Sequence, residues 1–258
     1  MRCARSFERT KNEMIQVGSA LLSIVLFYFM LCKGLGLLVI NRGVRVNYTR
    51  KVGHFAMFML PSLFFALFNI QDTHERLLLS ALSTAILFFA MCGWSRRRSL
   101  TAQQMFASID RPEDAPNTLS WLVSQTVAGL LVLWVTQYIW LAIGVPLELL
   151  YITILATTFG DGLAEPVGIR FGKHEYTTKG FFVDKTFKRT LEGSATVFVM
   201  SMLFCVLFKD YFAVHQFVLL CAVFPLALTL TEAKSPHTWD TPFLFMVGNA
   251  IVTGVYLL

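Results

Sequence analysis

Residues 118–143 read TLSWLVSQTVAGLLVLWVTQYIWLAI, an apolar stretch with no Asp, Glu, Lys or Arg. As a helix rising about 1.5 Å per residue, it is long enough to cross a hydrocarbon core about 30 Å thick. Lipid offers backbone groups no partner outside a helix or a closed barrel, and barrel-like alternation is absent, so helix is expected and strands are not. Working outward, further apolar segments run at about 147–167, 193–208, 211–232 and 241–258 on one side, and 77–94, 52–70 and 14–40 on the other. The whole chain is 55% hydrophobic and 15% charged, where a soluble domain carries about 25% charged residues. The expected fold is therefore all-α: a polytopic transmembrane helical bundle of about 7–8 spans, integral to the membrane. A basic tail at 1–13 precedes a single membrane domain over 14–258, which a polar, basic loop at 160–193 interrupts.

The net charge of +6 resides in the loops. Arg96, Arg97, Arg98 and Arg111 lie in 95–117, and six Lys and Arg residues lie in 168–192. The positive-inside rule places 41–51, 95–117, 168–192 and 233–240 on the cytoplasmic side. Arg2, Arg5, Arg9 and Lys11 break the alternation. Either the first span inserts against its charge, or it is broken or re-entrant near Lys33–Gly34. The basic balance fits anionic headgroups and phosphates, and no aromatic-plus-basic module for nucleic acid is present. The five cysteines form no CxxC pair, which argues against a zinc site or a disulfide framework. Trp140 and other aromatics are expected in interfacial belts.

Four polar clusters fall at the same inferred side. They are Arg50, Lys51 and His54; Asp161 with Glu165; Lys188, Arg189, Thr190 and Glu192; and Glu232, Lys234, Ser235 and Asp240. Ionisable groups at span ends are costly unless they pair, reach water or bind a ligand. The central segment, Phe159 to Gly193, reads FGDGLAEPVGIRFGKHEYTTKGFFVDKTFKRTLEG. Gly160 and Gly162 flank Asp161 and let backbone approach a ligand closely. Ala164 and Gly168 keep the following helical face small, and Gly172 and Lys173 open a basic loop. Thr190 is a plausible N-cap ahead of Gly193, at a helix start suited to an anion. A carboxylate for a divalent cation and cationic groups for phosphate are the parts that phosphoryl transfer requires.

The pattern Asp161-x-x-Ala164-x-x-x-Gly168, a basic loop, then Lys188-Arg189-Thr190-x-Glu192-Gly193 resembles the CTP-binding motif of dolichol kinases. It is equally similar to that of phytol kinases and CTP-dependent diacylglycerol kinases. Arg50-Lys51-x-x-His54 resembles an early element of those proteins, and Glu232-x-x-Ser235 with Asp240 their C-terminal element. Thr241 stands where many relatives have Asn, and Lys-Arg-Thr where phytol kinase-like members often show Lys-Ser. The resemblance implies a membrane kinase moving the γ-phosphate of CTP to a lipid alcohol, with the nucleotide reaching the site from the cytoplasm. It implies Mg²⁺ held by Asp161, with Glu192 as a second ligand, and phosphoryl charge met by Lys188 and Arg189. His54 or Glu192 would serve the alcohol as base. Arg50, Lys51, Gly160, Gly162, Ala164, Gly168, Gly172, Lys173, Thr190, Gly193, Glu232, Ser235 and Asp240 are the nucleotide-binding candidates.

Two other readings compete. A phosphatidate cytidylyltransferase needs similar metal and phosphate contacts, but the acid-rich C-terminal pattern expected of such synthases is absent. A transporter of an anionic solute would show paired helix interruptions in two matching halves, and none is found.

Overall fold

The computed structural model describes the backbone of residues 2–180 and 183–258, with side chains from Met14 onward. The expected basic tail at 1–13 therefore lies outside the described side chains. The chain forms two compact units, Met1–Leu119 and Ser120–Leu258.

In the first unit, helix α1 (Arg2–Arg42) runs without a break through Lys33 and Gly34. Of the two possibilities for this segment, an interruption at Lys33–Gly34 is not what forms. Ala20, Ile24, Tyr28 and Cys32 recur every fourth residue and are all buried, giving α1 one packed face. That face meets α2 (Val46–Leu67), α3 (Thr73–Ala90) and α5 (Leu100–Ala107), with the short α4 (Gly93–Arg96) between the last two. Gly36 lies directly against α5, where a Cβ would fall 1.6 Å from the Gln104 carbonyl oxygen. Asp72 caps α3 by accepting from the Glu75 N–H at 2.9 Å.

The second unit is built on α7 (Leu150–Phe171), α8 (Leu191–Leu207), α9 (Val214–Lys234) and α10 (Asp240–Tyr256). Each packs on the next and α10 returns to α7, closing a four-helix ring. Val197, Cys205, Leu220, Phe224, Leu228, Leu244 and Val252 are fully buried at its centre. Helix α6 (Thr118–Ile143) lies along α10, with the Trp140 indole N–H donating to Thr253 Oγ1 at 2.7 Å. Trp140 is thus a buried core residue, not part of an interfacial belt, because this hydrogen bond satisfies its N–H inside the unit.

All eight apolar segments become helices, and four are long and apolar enough to cross a membrane: Met14–Arg42, Thr118–Ile143, Leu147–Phe171 and Val214–Lys234. One expectation needs correction. The basic loop carries strands β1 (Glu175–Gly180) and β2 (Val183–Thr190), which pair antiparallel with Tyr176 opposite Arg189 and Thr178 opposite Phe187. The argument against strands holds only within hydrocarbon. This segment lies between the apolar helices, and its threonines, tyrosine and valine suit a ladder.

Candidate functional site

The hairpin sets the site. Adjacent strand residues point to opposite faces, so Lys188 and Arg189 part company. Lys188 turns outward to an exposed ion pair, its Nζ 2.6 Å from Glu175 Oε2. Arg189 turns inward, where Nη1 donates to Glu232 Oε1 at 2.7 Å and also to the Glu232 backbone carbonyl. Its Nη2 donates to Asp240 Oδ2 at 3.3 Å. Glu232 Oε2 accepts from Ser194 Oγ at 3.0 Å, and Ser194 Oγ is 2.7 Å from the Tyr176 hydroxyl. Arg189, Ser194, Glu232 and Asp240 therefore converge from β2, α8, α9 and α10. Burial works against the Arg189 charge, but the carboxylates of Glu232, Asp240 and Asp161 outweigh it and hold its pKa above the ordinary arginine value. Asp161 thus belongs to the same electrostatic neighbourhood. Burial also raises the Tyr176 phenol, helped by the charge of Glu232.

A docked hairpin explains why Arg189 points there. Thr178 Oγ1 donates to the Ser235 carbonyl at 2.9 Å, and the His237 N–H donates to the Lys179 carbonyl at 2.9 Å. The His237 ring stacks on Phe187 at 3.7 Å. Ser235, expected at the nucleotide, is here the residue that ends α9 and receives the hairpin.

The glycines have a packing role. A Cβ on Gly160 would meet Val197 Cα at 3.2 Å, one on Gly168 would meet Thr190 Oγ1 at 2.7 Å, and one on Gly193 would meet the Ala164 carbonyl oxygen at 2.7 Å. Together with buried Gly162 and Ala164 they let α7 and α8 approach closely. Gly172 is similarly confined by the Gly168 carbonyl and Thr190. Thr190 does cap α8, accepting from the Gly193 N–H at 3.1 Å. Lys173 is exposed beyond the end of α7.

Glu192 is paired with His174. Its Oε1 lies 2.8 Å from His174 Nδ1, and its Oε2 accepts from the His174 N–H at 3.4 Å. The contacts of Gly160 with Val197 and of Gly193 with Ala164 put Asp161 about one turn along α8 from Glu192, an axial offset of roughly 6 Å at 1.5 Å per residue. The described residues contain no group of three or more His, Cys, Asp or Glu able to hold a metal ion. A magnesium ion carried in on phosphates needs only one or two carboxylates, the remaining ligands being phosphate oxygens and water. Asp161, whose charge is felt by both Arg189 and Glu232, fits that lesser requirement.

Arg50, Lys51 and His54 lie on α2 in the first unit. Arg50 Nη1 is 3.1 Å from Asp114 Oδ2, and the same oxygen receives Arg111 Nε at 2.8 Å. Asp114 and Arg111 are buried. The His54 ring rests against Phe58 and Phe55, with centroids 5.0 and 5.9 Å away. In sequence the Arg111–Asp114 stretch reads either as a turn before the fourth span or as a border of the nucleotide; in the fold its Asp114 is the buried partner of Arg50. Sequence reasoning passed over Tyr176 and Ser194, for which the available signals were Ser194 directly after the Gly193 motif and Tyr176 two residues past His174.

Among known proteins, the chain is 31% identical over 109 residues to the phytol kinase of Synechocystis sp.. The match covers 41% of this chain and 44% of that protein, so the chain spans less than half the length of the relative it matches. No family model matches, and no solved structure matches.

Proposed function

We propose that this protein is a membrane-embedded kinase that transfers the γ-phosphate of CTP to the hydroxyl of a lipid alcohol. The reading is carried by one observation: Arg189, on a hairpin between apolar helices, is hydrogen-bonded to Glu232 and Asp240 and feels the charge of Asp161. The likeness to a phytol kinase over 109 residues supports it, as does the motif from Asp161 to Gly193. CTP as donor rests on that motif alone.

In this reaction the alcohol oxygen forms a bond to the γ-phosphorus, the bond from that phosphorus to the nucleoside diphosphate breaks, and the hydroxyl proton leaves. Asp161 is the carboxylate that would hold Mg²⁺ on the phosphates, where the cation neutralises charge in the transition state. Arg189, anchored by two carboxylates, stabilises the transferring group as a preorganised cation, and such groups act most strongly where water is excluded. Lys188 and Lys173, exposed, meet the incoming nucleotide as solvent-facing charges. The active site is placed on the cytoplasmic side, in line with the charge of the loops.

Purified protein in detergent, CTP labelled at either the γ or the α phosphate, and a panel of lipid alcohols test this. The expected result is γ label in lipid, with loss of about a hundredfold or more in Asp161→Asn. Transfer of α label, or full activity in the variant, contradicts the proposal.

A further inference from the structure

A groove of about 520 Å³ opens beside the Arg189 cluster, between β1 and the end of α9. Tyr176, Leu191, Ala233 and Pro236 make its largely apolar wall, with Thr177, Thr178, Lys179 and Lys234 completing the lining. Tyr176 is also the outer end of the hydrogen-bonded chain to Glu232. The direction of that chain follows from donor and acceptor capacity. A carboxylate engaged by a guanidinium only accepts, so Ser194 commits its proton to Glu232 Oε2 at 3.0 Å. Having given up its only proton, Ser194 Oγ must accept from the Tyr176 hydroxyl at 2.7 Å. The Tyr176 oxygen is then left with acceptor capacity alone. Arg189, a pure donor that also interacts with this phenol, agrees with that polarity.

We propose that the groove seats the acceptor lipid alcohol and that Tyr176 accepts the hydrogen bond of its hydroxyl, with Ser194 as a positioning residue. This rests on the kinase reading and deepens it. An oxygen that can only accept selects a ligand that can donate: an alcohol qualifies, whereas a fully ionised phosphate does not. The apolar wall suits the adjoining hydrocarbon, and the two lysines suit the phosphate that the alcohol acquires. The same chain offers the hydroxyl proton an exit. It passes to Tyr176 as the tyrosine proton passes to Ser194 and the serine proton to Glu232, so that one proton leaves the alcohol and one arrives on the carboxylate.

The test is steady-state kinetics of the full chain with CTP and a short-chain water-dispersible lipid alcohol. Tyr176→Phe keeps the ring, removes the hydroxyl, and is expected to lower kcat/KM for the alcohol about tenfold, the effect of one lost hydrogen bond. The KM for CTP should not change. Ser194→Ala should behave like Tyr176→Phe, and Ser194→Thr, which retains the hydroxyl, should recover most of the loss. An unchanged dependence on alcohol in Tyr176→Phe, or a KM for CTP rising in parallel, overturns the proposal while leaving the kinase reading intact. Absence of phosphorylation by the unaltered protein overturns both.

Discussion

At the residue scale, two neighbouring cations have opposite fates. Lys188 and Arg189 are equivalent in composition and both fit a phosphate clamp, yet the β period of two sends one to solvent and the other into the bundle. The consequences for stability differ. Removing one partner of a buried ion pair leaves an uncompensated charge and costs about 3–5 kcal/mol, so Arg189→Ala should sharply lower the unfolding midpoint in detergent. Lys188→Ala disrupts a pair whose side chains are 74% and 56% exposed, and exposed pairs contribute at most about 1 kcal/mol. Equal destabilisation by the two substitutions would show that Arg189 is not buried against Glu232. The motif marked Arg189 as a candidate site cation. Its separation from Lys188 was not legible, because the argument from lipid against strands had been extended to a loop outside the apolar segments.

At the element scale, close helix contacts account for several small residues. Gly34 and Gly36 stand two apart on α1, yet a Cβ on Gly34 meets nothing within 4 Å while one on Gly36 meets the Gln104 carbonyl oxygen at 1.6 Å. Gly34→Ala should therefore stabilise, by up to about 1 kcal/mol, through helix propensity. Gly36→Ala should destabilise by about 1–3 kcal/mol, because backbone on α5 must move. Thermal unfolding of the two variants side by side checks the contrast, and matching shifts would contradict the α1–α5 contact. The glycines of α7 and α8 belong to the same class. In sequence Gly160 reads as backbone open to a ligand, Gly168 as keeping a helical face small, and Gly193 as part of a helix start suited to an anion. In the fold they are where one helix meets another, and a signal of smallness alone does not separate those two uses.

At the scale of the whole molecule, the hairpin provides a topological marker. It is hydrogen-bonded to the turn between α9 and α10 through Thr178 and Lys179, so residues 175–190 and 235–239 must share one side of the bilayer. The connector at 144–148 lies at the other end of α7, a helix of 22 residues. In sealed vesicles, an impermeant thiol reagent should reach Asp184→Cys and Glu148→Cys from opposite sides. Labelling of both from one side would mean that α7 does not span. The number of spans beyond the four helices long and apolar enough to cross would follow from the same approach applied to the remaining connectors.

Each apolar segment determined its own helix, since a chain in lipid must satisfy its backbone groups locally and a long uncharged run can do so only by coiling. That reasoning uses no partner, and so the eight helices could be read from residues in order. Which polar groups meet was decided by tertiary structure alone. Arg189 and Glu232 are 43 residues apart, and only the docking of the hairpin on α9 and α10 brings a guanidinium to that carboxylate while turning Glu192 to His174. Side-chain convergence depends on register and packing between distant elements, and linear spacing carries neither.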